Sequence, residues 1–181
     1  MRFAVVMRKQ KIDNPWITHR WLPVEVFADS GQFEEDGAPV DTPNPLGRFI
    51  ERDDEGETWL FRGFDLDLFP DEAEGYFLNA TAPEPCWFVM WRPEEDYLRF
   101  LETASIAHVS AEGAQAIPHR ICLSYNEAAR LIDGGESVDT VILDKEHWEW
   151  LHAYVLEHYR PEPKKRQRPE SFKGADRPAG D

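Results

Sequence analysis

Residues 124–159 read SYNEAARLIDGGESVDTVILDKEHWEWLHAYVLEHY, and this stretch decides the fold. Ser124 and Glu127 stand in the S-x-x-E spacing of a capping box, in which each side chain satisfies a backbone N–H left over at a helix start. A helix is therefore predicted from Tyr125. Tyr125, Ala128, Ala129 and Ile132 fall on one face of it, and Gly134-Gly135 supplies the left-handed residue that stops it. The β-branched run from Val138 to Leu143 is too short for a helix and reads as a strand. Asp144 then caps a second helix, with Leu143 and Trp148 placed as a hydrophobic staple. In that helix Trp148, Leu151, Val155 and Tyr159 form a stripe flanked by Trp150 and Tyr154, wide enough to dock on a sheet.

Upstream the pattern changes to short strands. Phe3 to Arg8 and Trp21 to Phe27 are expected to pair as a hairpin around a turn at Asp13-Asn14-Pro15, with Pro23 suited to an edge strand or a bulge. Residues 28–46 have the composition of a loop. Strands are expected at 47–52 and 58–64, joined by the acidic tip 53–57. Phe64, Leu66 and Leu68 alternate with Asp65 and Asp67 as a half-buried strand. Further strand candidates are 76–80, 86–92 and 97–109, with a helical turn at Leu98 to Leu101 as the alternative, then a loop at 111–116, with 121–123 leading into the capped helix. Strands first and helices last give an α+β fold: a mostly antiparallel sheet, free to curl toward a barrel, with two C-terminal helices. Residues 1–159 are expected to form one domain, and 160–181, with four prolines and one aromatic, a basic disordered tail.

The net charge of −15 is unevenly spread. The tail holds seven Lys or Arg and four acids, which leaves 13 basic and 31 acidic residues in 1–159, a net of −18. A body that acidic repels phosphate backbones and anionic lipid surfaces, so neither nucleic acid nor membrane is an expected partner of the folded part. Cys86 and Cys122 sit in apolar, strand-like contexts and read as buried free thiols. The apolar run in MRFAVVMRKQK is too short for a signal peptide and no later run reaches the length of a membrane span, so a soluble cytoplasmic protein is expected.

Few residues form a chemical pattern. Asp65 and Asp67, two apart on a strand, share a face roughly 7 Å apart and could hold a metal or divide acid and base roles, although a solvated strand face is the favoured explanation. Phe69 and Pro70 stand where an EF-hand loop needs a ligand and a glycine. The histidines of the last helix lack the i, i+4 spacing of a zincin pair and read as surface or interface residues. Neither cysteine forms C-x-x-C, and no nucleophile elbow or Walker loop occurs, so no metal, cofactor or catalytic residue is expected. Trp16, Trp21, Asp65 and Asp67 remain as candidate binding residues. Lys164, Lys165, Arg166 and Arg168 add a basic cluster that either attracts an acidic partner or, as the last-ranked reading, nucleic acid, or keeps the tail soluble.

Asn14-Pro15-Trp16, Trp21-Leu22-Pro23-Val24, Glu74-Gly75-Tyr76 with Asn79, the 85–92 strand, Ser124-Tyr125-Asn126-Glu127-Ala128 and Asp133-Gly134-Gly135-Glu136 together resemble a proteobacterial family, domain-of-unknown-function family 3305. The resemblance spans most of residues 1–168. Members of that family are commonly encoded near molybdenum-dependent formate dehydrogenases and their maturation factors, and some carry the label of a molybdenum-cofactor guanylyltransferase. Such an enzyme needs a glycine-rich phosphate loop near its N-terminus, and residues 5–14 contain no glycine. The resemblance thus implies a non-enzymatic accessory or assembly protein with a protein partner, a molybdoenzyme such as formate dehydrogenase or one of its maturation factors. The alternative is a small enzyme or ligand-binding protein with a site in a sheet cavity lined by tryptophans and Asp65 or Asp67.

Overall fold

The computed structural model describes residues 1–31, 47–94 and 115–161. The strand candidate at 97–109 lies outside them, as do most of the loop at 28–46 and of the tail at 160–181, with Lys164, Lys165, Arg166 and Arg168.

The N-terminal half builds a four-stranded antiparallel sheet in the order β2-β1-β4-β3, from β1 (Arg2–Lys11), β2 (His19–Ala28), β3 (Arg48–Arg52) and β4 (Gly56–Asp65). The β1–β2 hairpin shifts register between Val6↔Glu25 and Met7↔Pro23, leaving Val24 as the extra residue. Pro23 thus sits beside a bulge on an edge strand, where a missing N–H removes no essential ladder bond. At the β3–β4 tip, Asp53 Oδ1 accepts the amides of Glu55 and Gly56 at 2.9 and 2.8 Å, which fixes the turn.

A second antiparallel sheet, β6-β5-β7, comes from β5 (Cys86–Glu94), β6 (Gln115–Cys122) and β7 (Ser137–Ile142). The fold is α+β as expected, but the strands of the described residues form two separate sheets and no closed barrel. The break falls after Asp65. Leu66 to Phe69 leave the ladder, Pro70–Glu72 make a 3-10 turn with Pro at its start, and Ala73–Ala80 form helix α1. The expected strand extension through Leu68 and the expected strand at 76–80 are both overturned. Ala73, Tyr76, Phe77 and Ala80 recur at i, i+3, i+4 and i+7, and Ala73, Tyr76 and Ala80 are buried while Leu78 is exposed. That is a helical period. The expected loop at 111–116 is corrected at its end, where Gln115 opens β6. Pro118 repeats the device of Pro23: β6 is an edge strand, and the register shifts from Met90↔Arg120 to Trp91↔Pro118.

Helices α2 (Tyr125–Asp133) and α3 (Lys145–His158) start and stop where the sequence says they should. Ser124 Oγ accepts the Glu127 amide, and Asp144 Oδ1 accepts the His147 amide at 2.9 Å. Gly135, at φ 87°, ends α2 with the Gly135 amide bonded to Ile132 O and the Glu136 amide to Leu131 O, a Schellman stop. The buried face of α2 is nonetheless rotated from the expected one. Ala128 is buried with Leu131 half-buried beside it, whereas Tyr125 and Ile132 are exposed. The helix packs those residues on Phe88, Cys122 and Val138, on the outer face of the second sheet.

The main core lies between the sheets and the α1–α3 pair. Phe3, Val5 and Met7 alternate inward from β1 and are fully buried, as are Phe61, Trp87, Val89 and Leu151 or nearly so. Phe3 meets Trp87 with ring centroids 4.8 Å apart. Asn79, also buried, ties α1 to this core: its amide nitrogen donates to Cys86 O and Leu123 O at 2.7 and 2.9 Å, and its oxygen accepts from Cys86 N at 3.0 Å. All of its main hydrogen-bonding capacity is used, which is what makes burial of an amide tolerable. His147 departs from the expected surface position. It is buried against Phe3 and Trp87, with Nδ1 at 2.6 Å from Asp144 Oδ2.

Candidate functional site

Two places collect polar or aromatic side chains beyond what the core requires. The larger is a cleft of about 530 Å³ between the 63–72 segment, the end of β6 and the start of α2. Its formation depends on α1 approaching the N-terminus of α2. Gly75 permits that approach, since a Cβ there would lie 2.1 Å from Ser124 Oγ and 3.2 Å from the Asn126 amide nitrogen. Asp65, Asp67, Asp71, Glu72 and Glu127 bring negative charge to the cleft, and Arg120 and Arg130 bring positive charge.

Most of these charges are engaged with one another. Glu72 accepts from Ser124 Oγ and from Arg130 Nη2, so one carboxylate joins the 3-10 turn to the cap and to the body of α2. Burial pushes the Glu72 carboxyl up, but the bonds from Ser124 and Arg130 outweigh it and hold the group below the ordinary glutamate range. Glu127, whose carboxylate would close the reciprocal half of the capping box, instead lies 2.8 Å from Arg120 Nη2. Asp65 pairs with Arg2 at 3.3 Å, and Asp67 lies 3.7 Å from the N-terminal ammonium. The Tyr76 hydroxyl accepts from the Phe69 amide at 3.3 Å, and burial pushes it up to about 12. It is a neutral phenol at pH 7. The cleft can therefore offer hydrogen bonds to a polar ligand, while its carboxylates brace the segment that connects the two sheets. Among the described residues no group of three His, Cys, Asp or Glu is placed to hold a metal ion.

The second place is the tip of the β1–β2 hairpin. Asn14 Oδ1 accepts the amides of Trp16 at 2.8 Å and Ile17 at 3.3 Å, an Asx turn that fixes the loop from within. Trp16 is 89% exposed and Ile17 57% exposed. Beneath them the hairpin is anchored by the ladder from Lys11↔His19 to Phe3↔Ala28. An exposed indole normally loses area by folding back. Here it stands exposed on a turn whose backbone amides are bonded to Asn14.

The four candidate residues within the described part separate between these places. Asp65 and Asp67 line the cleft, at the end of β4 and just past it, and are largely solvated. Trp16 stands at the hairpin tip, and Trp21, on β2, packs partly buried against the main core. No tryptophan lines the cleft. The thiols are free, with Cys122 buried and Cys86 half-buried; burial pushes Cys122 up to about 12 and Cys86 in the same direction, so both are neutral thiols at pH 7. Sequence reasoning missed Glu72, Arg120, Glu127 and Arg130 as cleft residues. The only signal they carry is charge beside a helix start.

The fold and these sites describe an α+β protein of two antiparallel sheets, with an ion-paired cleft at their junction and a projecting aromatic hairpin. Residues 2–168 match the model of the family described as protein of unknown function (DUF3305), and the chain belongs to that family. No curated protein and no solved structure matches the chain. No helix among the described residues is long and apolar enough to cross a membrane.

Proposed function

We propose that this is a non-enzymatic accessory or assembly protein of the cytoplasm that works by binding a protein partner, a molybdenum-dependent oxidoreductase such as formate dehydrogenase or one of its maturation factors. The observation that carries the binding role is Trp16, 89% exposed on a turn whose backbone amides bond to Asn14. Tryptophan is among the residues that dominate binding energy at protein interfaces, and preorganisation removes part of the ordering cost of association. The choice of partner is supported by the setting of the family that the chain resembles. The test is direct binding of the purified protein to a molybdenum-dependent formate dehydrogenase of the same cell, together with the molybdenum content and activity of that enzyme made without the protein. Micromolar or tighter binding and a fall in both quantities are expected. Normal enzyme from cells lacking the protein, with no binding at about 100 μM, would remove this reading.

One observation favours a second reading, a ligand-binding protein. The cleft volume falls in the range of small-molecule sites, roughly 300–1,000 Å³, and Asp65 and Asp67 are on its wall. A metabolite that raises the thermal midpoint of the native protein, and does so less for D65N/D67N, would support it.

A further inference from the structure

The basic run Lys164-Lys165-Arg166-Gln167-Arg168 holds four cations and no acid, and the partner-binding role of Trp16 leaves it unused. It follows α3 closely. Tyr159 caps that helix, and Lys164 is five residues on, a reach of about 17 Å when the chain is extended. The match to the family model ends at Arg168, so it takes in the run and leaves out residues 169–181.

The surface around the end of α3 has the opposite sign. Residues 66–81, which hold α1 and the turn before it, contain four acids and no Lys or Arg; residues 149–159 contain two acids and again no Lys or Arg. Three of the six are engaged: Asp67 lies beside the N-terminal ammonium, Glu72 pairs with Arg130, and Glu149 pairs with Lys145. Among the described residues no cation pairs with Asp71 or Glu74, and Glu157 meets only the His158 ring at 3.9 Å. These three carboxylates are exposed. Contacts place each of them near the end of α3. Tyr154 donates its hydroxyl to Leu68 O at 3.1 Å, and burial, then the charges of Asp71 and Glu157, push that phenol up. Tyr154 is about 7.5 Å along the helix from Tyr159. Glu74 stands one turn before Phe77 on α1, and the Phe77 ring lies 4.7 Å from that of Tyr159. All three are thus within reach of residues 164–168.

We propose that the basic run folds back on the α1–α3 face of its own chain and pairs with Asp71, Glu74 and Glu157, so that the body holds it in the unbound protein. Exposed ion pairs are individually weak. The tether makes this encounter intramolecular, with an effective concentration in the millimolar range for a short linker, and several pairs form together. More distant carboxylates of the acidic body need a longer tether, for which that concentration falls. The contact acts as an internal competitor. An acidic segment of another molecule reaches the run only by displacing the face, and a molecule that needs the face has to displace the run. Salt loosens the contact, because the Debye length falls from about 30 Å near 10 mM to about 3 Å near 1 M.

The test is zero-length carbodiimide cross-linking of the full chain, read by mass spectrometry of the monomer. Lys164 and Lys165 should link to Asp71, Glu74 or Glu157 in about 10 mM salt, with a yield that is unchanged on dilution and falls about fivefold or more near 1 M. D71N/E74Q/E157Q should remove these links while its thermal midpoint stays within about 2 °C of the parent, as expected for exposed positions. A second measurement does not depend on reactivity: the backbone amide resonances of α1 should differ between the parent and K164E/K165E/R166E/R168E at low salt and coincide at high salt. Links scattered over the carboxylates of the whole surface, links to the three that persist near 1 M salt, or α1 resonances identical in parent and charge-reversed chain would overturn the internal contact. Links found only in dimers, with a yield that rises with protein concentration, would place the run on a second copy and overturn it as well.

Discussion

The cleft and the hairpin tip are both polar and both accessible, yet their groups are occupied differently. In the cleft Glu72, Glu127, Asp65 and Asp67 each lie beside a cation of the same chain, and Glu72 joins a 3-10 turn to the start of a helix 52 residues away. At the tip the internal bonds run to backbone groups of the turn and leave the Trp16 and Ile17 side chains in water. In the first arrangement the polar contacts brace the segment between the two sheets and the start of α2. In the second they fix the backbone of a turn that carries an exposed apolar side chain. The comparison teaches that the larger cavity of a molecule need not be its recognition surface; what matters is whether the side chains around it still have interactions to offer.

If this contrast is right, damage around the cleft should appear as lost stability. Asn79→Leu should have the largest effect, because it leaves Cys86 N, Cys86 O and Leu123 O without their side-chain partner in or near the core. A loss of about 3 kcal/mol or more is expected in urea unfolding, since each buried group left unsatisfied costs about 1–3 kcal/mol. Gly75→Ala comes next. Alanine improves helix propensity by about 1 kcal/mol, but its Cβ would meet Ser124 Oγ and displace the cap of α2, so a net loss of about 1–2 kcal/mol is expected. A stabilised Gly75→Ala variant would mean that α1 and α2 can move apart without consequence.

Glu72→Gln is smaller and has a pH signature. Because the folded carboxyl titrates below its unfolded value, its stabilisation is fully present above the unfolded pKa and is lost as pH falls through the folded one. Near neutrality the variant should be less stable by about 1 kcal/mol, as for a partly exposed charge-assisted bond. Below the folded pKa the difference should vanish. A gap between the two proteins that stays constant from pH 7 into the acid range would show that Ser124 and Arg130 do not hold the carboxylate.

The parts of this fold that were legible in the sequence are those decided within a few residues. Ser124, Asp144 and Gly135 set helix ends through bonds to their own neighbours, and Pro23 announced an edge and a bulge through its missing N–H. Helix α1 was misread because Tyr76-Phe77-Leu78 looks like a strand when taken alone; the helical period appears only when Ala73 and Ala80 are counted with it. The face of α2 was misjudged because both possible stripes are apolar, and the second sheet chose Ala128 and Leu131 over Tyr125 and Ile132. The cleft was the least legible, since its walls come from residues 63–72, 119–123 and 127–131, which no local pattern links. Trp16 could be singled out as an aromatic beside Asn14-Pro15, but its exposure is a property of the folded hairpin.

The central claim is that recognition belongs to the tip and bracing to the cleft, and one paired measurement tests it most directly: dissociation constants for a molybdenum-dependent formate dehydrogenase, with thermal midpoints, for Trp16→Ala and Glu72→Gln. Trp16→Ala should weaken binding tenfold or more, about 1.4 kcal/mol, and leave the midpoint within about 2 °C, because an indole 89% exposed contributes little burial to the fold. Glu72→Gln should lower the midpoint by roughly 2–4 °C and leave the dissociation constant unchanged at a temperature where the variant is folded. The opposite pattern, binding lost in Glu72→Gln and kept in Trp16→Ala, would contradict the account and move the recognition site to the cleft.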